Sequence, residues 1–557
     1  MTTAHSDNSA DVIVIGAGLA GLVAADALAT RGKRVILLEQ EPAHFIGGQA
    51  HWSLGGLFMI DTPEQRRMGI RDSLELARRD WAGSAGFDRP EDHFPRLWAK
   101  SYLDFASGDM RSWLRDLGLR WFPVVGWAER GDGEADGHGN SVPRFHVTWG
   151  TGPGVLAPFV ARVRSHMAEG RIDARFRHQV SHIIQQGGQA TGVSGEVLAH
   201  DAAPIGARTN RHEVGEFEVY AASVLIASGG IGGNLEMVRA NWPTGRLGPA
   251  PGRMVSGVPF HVDGRMLKIA QSAGGRIING DRMWHYCEGL RNWDPIWPDH
   301  GIRILPGPSS MWFDAHGTRL PDPAFPGFDT LGTLKAILAT GQDYSWFILS
   351  QKIIEKEFAL SGSEQNPDMT SGKWVEVLKA RLLARGRAPG PVEAFKTRGA
   401  DFVTATTLTE LVRGMNEIGD VALDEARIRA QIEARDAQVD NPFAKDRQIQ
   451  AIHAARNYRG DRLLRTAKPH RILDRRNGPL IAVRLSVLTR KTLGGLQTNL
   501  DCQMIGADGQ AVPGLFAVGE AAGFGGGGYH GYNALEGTFL GGCLFSGRQA
   551  GRSGLIA

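Results

Sequence analysis

The sequence predicts an α/β fold built on a parallel sheet, with a smaller α+β domain inserted into the chain. Two observations indicate the sheet: apolar strand patterns that end in glycine clusters occur near both ends of the chain, and an apolar helix pattern follows the first cluster. A third observation sets the middle of the chain apart from both glycine-rich parts, because it is rich in tryptophan, proline and charged helical segments. Alternating strands and helices are typical of parallel sheets.

Size, charge and cysteine content narrow the function classes. At 557 residues the chain is too long for one ordinary domain. Lys and Arg (62) nearly balance Asp and Glu (59), and the net charge of +3 includes no long block of one sign, so we expect no nucleic-acid partner. Three widely spaced cysteines predict neither a disulfide framework nor a metal site. Because no signal-type or membrane-spanning apolar run is visible, we expect a cytoplasmic protein without stable membrane insertion.

The strongest motif lies near the N-terminus. An apolar strand pattern at residues 12–15 leads into a glycine turn and an apolar helix, and a second strand pattern at residues 35–38 ends at Glu39. The glycines of the turn are Gly16, Gly18 and Gly21. In this context the glycines bring a pyrophosphate to a helix N-terminus, and the acid binds ribose hydroxyls. The motif therefore predicts a dinucleotide-binding unit.

Three more glycine-rich segments that follow strand patterns distinguish between NAD and FAD. "FIGGQAHWSLGGLFMID" follows the second strand, "AASVLIASGGIGGN" ends a later strand near Gly229, and "VPGLFAVGEAAG" ends a last strand at Gly519 and Glu520. A protein that binds a nicotinamide cofactor does not need these glycine-rich segments. A long FAD molecule with a ring approached by backbone does need them, so the sequence predicts FAD.

These segments resemble the fumarate reductase/succinate dehydrogenase flavoprotein superfamily. Within it they are most similar to the soluble 3-ketosteroid dehydrogenases and to an associated group of predicted FAD-binding dehydrogenases. The likeness covers most of the chain, including "HVDGRMLKIAQSAGG", "LGGLQTNLDCQMIG" and the C-terminal "GRQAG". It implies a Rossmann-like FAD-binding domain of the glutathione-reductase type with an inserted α+β cap. The expected divisions are residues 8–280 and 477–557 for the FAD-binding domain and 281–476 for the cap.

The resemblance also implies the residues that bind FAD. They are Gly16, Gly18, Leu19, Ala20, Gly21, Glu39, Gln40, Gly47, Gly48, Gln49, Ser53, Gly55, Gly56, Val180, Ser228, Gly229, Gly230, Asn234, Asp263, Gly519, Glu520, Asn533, Ala534 and Leu535. Electron-transfer members often attach FAD through a histidine several residues before the glycine pair. His44 stands too close to Gly47 for such an attachment, so we expect non-covalent FAD. The cysteine spacing gives no metal-site pattern, so we expect no metal.

The loop "GGGGYHGYNALEG" carries the candidate catalytic residues. Tyr532 matches the position of a catalytic tyrosine in ketosteroid dehydrogenases, whereas His530 lies in an H-G-x-N motif similar to that of fumarate reductases. Tyr529 is a neighbouring candidate, and Tyr286 and Tyr344 of the predicted cap are candidate partners for Tyr532. Backbone N–H groups of the glycine run are expected to hold a developing enolate oxygen.

The expected reaction is dehydrogenation of a C–C bond next to the carbonyl of a cyclic or steroid-like ketone. A tyrosinate takes the α-proton, flavin N5 takes the hydride, and an unknown acceptor reoxidises the flavin. The cap residues Trp284, Trp293 and Trp297 indicate an apolar, ring-bearing substrate. Two alternatives stay open: a fumarate-reductase-like enzyme that reduces an activated C=C bond, and an electron-transfer subunit without its own substrate. A homo-oligomer is compatible with all three.

Overall fold

The structure is a computed structural model that describes residues 8–127, 139–373, 375, 377 and 386–556. The polar N-terminal residues 1–7, in which we expect no targeting signal, lie outside the described residues. Across the described ranges, no helix combines the length and the apolar character needed to cross a bilayer.

The first part of the chain alternates strands and helices. Its elements are β1 (Ser9–Ile15), α1 (Leu19–Thr30), β2 (Val35–Glu39), β3 (Gly56–Phe58), α2 (Pro63–Arg67), α3 (Leu74–Ala85), α4 (His93–Ser107), α5 (Asp109–Asp116), β4 (Phe145–Val147), α6 (Thr151–Ala168), β5 (Ile172–Phe176), β6 (His178–Gln186), β7 (Gln189–Leu198), β8 (Glu213–Ile226), α7 (Leu235–Ala240), α8 (Thr244–Leu247), β9 (Val255–Ser256), α9 (Arg265–Ser272) and β10 (Ile277–Ile278). Short 3-10 helices at Ala43–Phe45 and Gly48–Trp52 follow β2.

The middle of the chain adds shorter strands and a helical layer. Its elements are β11 (Met283–Arg291), β12 (Gly301–Leu305), β13 (Met311–Asp314), α10 (Thr330–Leu338), β14 (Tyr344–Ser350), α11 (Gln351–Glu357), β15 (Ala359–Leu360), α12 (Pro367–Thr370), α13 (Gly390–Arg398), β16 (Phe402–Ala405), α14 (Leu408–Ile418), α15 (Glu425–Asp436), α16 (Arg447–Ala455) and α17 (Arg459–Leu464). The last part contains β17 (Leu480–Thr492), β18 (Gly495–Leu496), β19 (Gln503–Ile505), β20 (Ala511–Ala517) and α18 (Thr538–Arg552).

The first of two large sheets is parallel at its centre. Its main path is β19-β20-β8-β1-β2-β5, and β6 and β7 extend it beside β8. From β20 to β5 all neighbouring strands are parallel. The last residue of β1, Ile15, pairs with Leu38 of β2 and with Ile226 of β8. The glycine-rich turns that follow these strands therefore meet at one edge of the sheet, as ligand-binding turns do in α/β folds.

The second sheet belongs to the inserted domain. Its path is β13-β14-β17-β11-β12-β15, with β9 and β16 also paired to β17. The central strand β17 lies in the segment that the sequence assigns to the returning FAD-binding domain. The inserted sheet therefore draws strands from both sides of the predicted boundary at residue 476.

Helix α1 fixes the glycine turn against the parallel sheet. It carries small and apolar residues on all sides and is almost fully buried, as expected for a helix in the centre of a large domain. A Cβ at Gly21 would lie 1.9 Å from the carbonyl oxygen of Gly16. Only glycine permits this approach of the helix to the turn, so Gly21 sets the position of the N-terminus of α1.

Candidate active site

A large cavity runs from the parallel sheet to the inserted sheet. It encloses about 1670 Å³, including its open mouth. One end is lined by Gly16, Gly18 and Glu39, and the other by Tyr286 and Arg303. A cavity lined by residues of both sheets suits a dinucleotide with one part in the strand-edge crevice and the other beside the inserted sheet.

The glycine turn leaves space where a ligand would lie. Gly18 precedes α1 with a φ of −73°, which any residue adopts. A Cβ built on Gly18 would meet no atom within 4 Å and would project into the cavity that Gly18 lines. The backbone N–H groups at the start of α1 have no partner within the helix, and such groups bind pyrophosphate oxygens. The turn therefore fits the pyrophosphate of FAD.

Glu39 is positioned at the carboxyl end of β2 by two backbone contacts. One carboxylate oxygen accepts the N–H of Ala17 at 2.8 Å, and the other accepts the N–H of Glu41 at 3.0 Å. Burial raises the pKa of Glu39, although these two hydrogen bonds oppose the shift. The fixed carboxylate retains lone pairs toward the cavity, where it fits ribose hydroxyls.

The second glycine-rich segment lines the middle of the cavity. Gly47 and Gly55 have positive φ values of 107° and 77°. A Cβ on Gly47 would come within 2.5 Å of Leu156, and one on Gly55 within 2.6 Å of Thr151. Both neighbours belong to α6, so these glycines let the loop pass closely between α6 and the cavity.

Three polar side chains, Glu520, Gln49 and Lys491, contact one another at the cavity wall. Glu520 accepts the backbone N–H of Thr492 at 2.8 Å and lies 3.9 Å from Nζ of Lys491. Gln49 bridges the two, since its amide nitrogen donates to Glu520 and its oxygen accepts from Lys491. Burial lowers the pKa of Lys491. The segment around Gln49 and the strand ending in Glu520 thus meet at the cavity wall.

Most of the predicted FAD-binding residues line this cavity. They are Gly16, Gly18, Leu19, Ala20, Glu39, Gln40, Gly47, Gly48, Gln49, Ser53, Gly55, Gly56, Val180, Ser228, Gly229, Asp263 and Glu520. The others lie outside the lining: Gly21, Gly230, Asn234, Gly519, Asn533, Ala534 and Leu535. Asn234, for example, caps α7 by accepting the N–H of Met237 at 3.0 Å.

Tyr529 and His530 point into the protein core and do not line the cavity. The Tyr529 hydroxyl donates to the carbonyl oxygen of Thr538 at 2.6 Å, and burial raises its pKa well above the ordinary value. Nε2 of His530 lies 2.8 Å from the Thr538 hydroxyl, and its ring stacks on Trp81. Burial lowers the pKa of His530 well below 6.5, so the imidazole is neutral. Both side chains are placed to stabilise the loop.

Tyr532 lies outside the cavity lining, in a cluster of charged residues. Its hydroxyl is 3.0 and 3.1 Å from the two carboxylate oxygens of Asp88. The guanidinium groups of Arg282 and Arg246 lie 4.0 and 4.6 Å from the ring centroid. This position argues against the predicted role of Tyr532 as the base that meets substrate in this cavity.

Tyr344 is likewise absent from the cavity lining. Its hydroxyl accepts the backbone N–H groups of Asp420 at 3.0 Å and Val421 at 3.1 Å. Arg484 covers its ring at 4.3 Å. Tyr344 therefore joins β14 to the loop after α14 within the inserted domain.

The N–H groups of the glycine run are used within the protein. Gly525 and Gly527 donate to Ala522, Gly528 donates to Gly525, and Gly526 donates to the Thr498 hydroxyl. Glycine is required there for packing, since a Cβ on Gly525 would lie 2.5 Å from the ring of Trp98. This loop therefore does not present these N–H groups to an enolate oxygen.

Tyr286 is the one predicted catalytic residue that lines the cavity, and it faces a charged pair. The guanidinium of Arg303 lies 3.8 Å from the centroid of its ring. Arg303 donates to Glu536 at 2.8 Å, and the indole N–H of Trp284 donates to the same carboxylate oxygen at 3.2 Å. Burial raises the pKa of Tyr286 well above 10, and the negative charge of Glu536 adds to this shift.

The sequence analysis missed Arg303 and Glu536, although each interrupts an apolar pattern. Arg303 stands in "GIRIL", between two buried isoleucines of a strand, and Glu536 stands between an apolar run and a glycine in "NALEGTF". Charged residues at buried positions need partners. That signal could have identified both residues as site candidates, but not as partners of each other.

Among the side chains that the structure describes, no group of three or more His, Cys, Asp or Glu residues is arranged to hold a metal ion.

The tryptophans that were predicted to line the pocket do not line the cavity. Trp284 donates to Glu536, and the ring of Trp297 stacks on that of His300 with 3.5 Å between the centroids. The apolar side chains that line the cavity instead include Phe145, Leu305, Phe539 and Leu540.

Comparison with known proteins agrees with this geometry. The chain matches the FAD binding domain family over residues 11–540. It is 60% identical over 547 residues to a KsdD-like steroid dehydrogenase of Mycobacterium tuberculosis (strain CDC 1551 / Oshkosh), a match that covers 98% of this chain and 95% of the relative.

Two solved structures share the fold. A 3-ketosteroid-Δ4-(5α)-dehydrogenase from Rhodococcus jostii RHA1, in complex with 4-androstene-3,17-dione, has a TM-score of 0.63 at 20% identity, covering 99% of this chain and 98% of that one. The open conformation of a flavocytochrome c3 fumarate reductase also has a TM-score of 0.63 at 20% identity, covering 99% of this chain and 78% of that one.

Proposed function

The chain belongs to the FAD binding domain family and is an FAD-dependent oxidoreductase, and from this premise we propose that it dehydrogenates a C–C bond next to the carbonyl of a cyclic, steroid-like ketone. The relative named a KsdD-like steroid dehydrogenase supports this substrate class, because it is 60% identical and covers nearly the whole chain.

One observation of the structure carries the proposal: the FAD cradle and an apolar pocket with a tyrosine hydroxyl form a single cavity. Tyr286, Phe145 and Leu305 line the same space as Gly18 and Glu39. Flat apolar walls suit a ring system, and a hydroxyl in such a pocket can contact one carbonyl-bearing ring. A small dicarboxylate would leave the apolar walls unused.

The residues of this chain fit FAD along the cavity. The N-terminus of α1 would hold the pyrophosphate, Glu39 the ribose, and the backbone near Gly47 and Gly55 the part of the cofactor that reaches the inserted domain. When bound, FAD supplies a two-electron acceptor for a hydride. His44 supports non-covalent binding, because its ring contacts the carbonyl oxygen of Ala203 at 2.8 Å and does not line the cavity.

The chain's own part in the reaction is to orient the ketone and to move a proton. We assign the contact with the substrate α-proton to the hydroxyl of Tyr286. The surrounding Phe145, Leu305 and Leu540 exclude water, which strengthens the electrostatic interactions within the pocket. An external electron acceptor then completes the cycle.

Anaerobic substrate screening tests the proposal. Holoenzyme is mixed with steroid ketones that differ in ring saturation, including 4-androstene-3,17-dione, and with acyclic ketones as controls. We expect bleaching of the flavin band by at least one steroid ketone, with formation of a product that has lost two hydrogens. If the flavin is bleached only by an added reductant and is then reoxidised by fumarate, the enzyme is a reductase and the proposal fails.

A further inference from the structure

We propose that Glu536 is the terminal proton acceptor of the reaction and that the hydroxyl of Tyr286 relays the substrate α-proton to it. The inference rests on the proposed function, since it requires a ketone beside Tyr286. It assigns a role to a carboxylate that lies outside every sequence-based candidate set.

The strand pattern brings the members of this relay together. Trp284 and Tyr286 are two residues apart on β11 and share one face. A register shift follows Tyr286, and Glu288 is placed near them by its 3.5 Å contact with Arg303. Arg303 stands on the neighbouring strand β12, where it pairs with Gly289. Glu536 reaches this face from the other domain, at the end of the loop that precedes α18. The relay is thus assembled from both domains at the cavity wall.

The contacts hold the Glu536 carboxylate in a fixed orientation. One of its oxygens accepts two hydrogen bonds, from Arg303 at 2.8 Å and from Trp284 at 3.2 Å. The same guanidinium of Arg303 lies 3.8 Å from the centroid of the Tyr286 ring, so Arg303 holds the carboxylate and the phenol next to each other. Tyr286 and Glu536 are 2% and 8% exposed, so bulk water does not compete for these bonds.

The surroundings of Tyr286 disfavour a free phenolate. Even an ordinary tyrosine with a pKa near 10 is ionised to only about one part in a thousand at pH 7. Burial raises the pKa of Tyr286 well above that value, and Arg303 and Arg490 oppose the shift only in part. A tyrosine that passes its own proton to a carboxylate as it takes the substrate proton never has to exist as a phenolate.

The step balances in atoms and electrons. The substrate α-C–H bond breaks and its proton forms a new bond to Oη of Tyr286, while the original Oη–H bond breaks and that proton passes to Glu536. The electron pair of the α-C–H bond is first taken up by the carbonyl, giving an enolate, and it becomes the second bond between the α- and β-carbons when the hydride leaves. The hydride leaves the β-carbon and is taken up by the oxidised FAD of the proposed function, so the substrate is oxidised and the flavin is reduced.

Two cations and a second carboxylate lie close to Glu536. Glu288 lies 3.5 Å from Arg303, and burial raises the pKa of Glu288. Arg303 therefore lies between two carboxylates, with the shorter contact, 2.8 Å, to Glu536. Lys491 also interacts with Glu536 electrostatically. Because Glu536 lines the cavity together with Tyr286 and Glu288 does not, Glu536 is the carboxylate to which we assign the proton.

Deuterium exchange separates proton transfer from oxidation. Holoenzyme is reduced under anaerobic conditions, and the α-hydrogens of a ketone that the oxidised enzyme oxidises are followed by NMR in D2O. Because the flavin is already reduced, dehydrogenation cannot proceed. We expect Glu536→Gln to slow exchange by about a hundredfold to ten-thousandfold, with FAD content unchanged and ketone affinity, read from the flavin spectrum, within a few-fold of the parent.

Two further variants complete the test. Glu364→Gln is the matched control, a buried acid outside the cavity lining, and should exchange like the parent. Tyr286→Phe should be as slow as Glu536→Gln, and the double variant should be no slower than either, because members of a relay act as one unit. If one single variant folds poorly, the other single variant still tests the relay against the Glu364→Gln control.

The outcomes distinguish the relay from the proposed function. If the parent catalyses exchange and Glu536→Gln exchanges within a few-fold of it, the relay is overturned while the dehydrogenase proposal stands. Multiplying effects in the double variant would also overturn the relay. A parent that neither exchanges nor oxidises any ketone overturns both.

Discussion

Replacing Gly18 with valine should remove FAD and leave the fold intact. The backbone of Gly18 has a φ of −73°, and a Cβ there would meet no atom within 4 Å. The protein can therefore accept the side chain without strain. The same side chain would occupy the space in front of α1 where the pyrophosphate binds.

The expected loss of FAD affinity is much larger than the expected loss of folding stability. As the N-cap of α1, Gly18 contributes little, and a poorer cap costs about 1 kcal/mol or less. Displacing the pyrophosphate removes two or three hydrogen bonds to a charged group, each of about 1.5–3 kcal/mol. The FAD affinity should then fall by about 3–9 kcal/mol, which is at least about a hundredfold in Kd. Loss of cofactor thus exceeds loss of stability.

The assay compares two glycines of the same turn. Purified Gly18→Val should be colourless, and its unfolding temperature should match that of the parent apoprotein. Gly21→Val is the control, because its Cβ would lie 1.9 Å from the Gly16 carbonyl oxygen and should destabilise the fold itself. A yellow Gly18→Val protein with the parent's flavin content would refute the placement of the pyrophosphate.

Three shorter predictions concern other parts of the molecule. Tyr532→Phe should keep flavin reduction by substrate within a few-fold of the parent, because its hydroxyl binds Asp88 outside the cavity; a loss of about a hundredfold would restore it as the base. Acid precipitation of holoenzyme should leave a colourless pellet, and a yellow pellet would show covalent FAD. Burial raises the pKa of Glu364 from 4.5 to about 7, so the folded state retains a proton that the unfolded state loses, and stability falls as pH rises between these values. Thermal unfolding of Glu364→Gln should show a weaker fall over that range, and an unchanged pH dependence would contradict the assignment.

The fold class and the cofactor could be predicted because their signals are local. The strand, the glycine turn and Glu39 lie within about thirty consecutive residues, and the matches to the FAD binding domain family and to a solved dehydrogenase fold confirm both predictions. The glycines carry this information, since Gly21 must approach the Gly16 carbonyl closely and Gly18 must leave space. Such constraints depend on near neighbours and are visible in one sequence.

The placement of β17 could not be predicted from local sequence signals. Its apolar run, residues 480–492, predicts a buried strand but does not show which sheet contains it. It follows the inserted domain in sequence and precedes the last strand of the parallel sheet. The structure pairs it with β11 and β14. Strand pairing is decided by contacts between distant segments, so the expected boundary at residue 476 divides this sheet.

The catalytic residues were harder to predict for the same physical reason. The glycine-rich loop drew attention to Tyr529 and Tyr532, yet its glycines serve close packing against Trp98, and those hydroxyls have protein partners. Glu536 can be recognised as a candidate only from its interactions with Arg303 and Tyr286, which stand more than two hundred residues earlier in the chain. A tyrosine is a poor base alone, and its chemistry depends on which charge the fold brings to its hydroxyl. The expected reaction indicated a tyrosine, whereas our proposal of Tyr286 rather than Tyr532 depends on the fold.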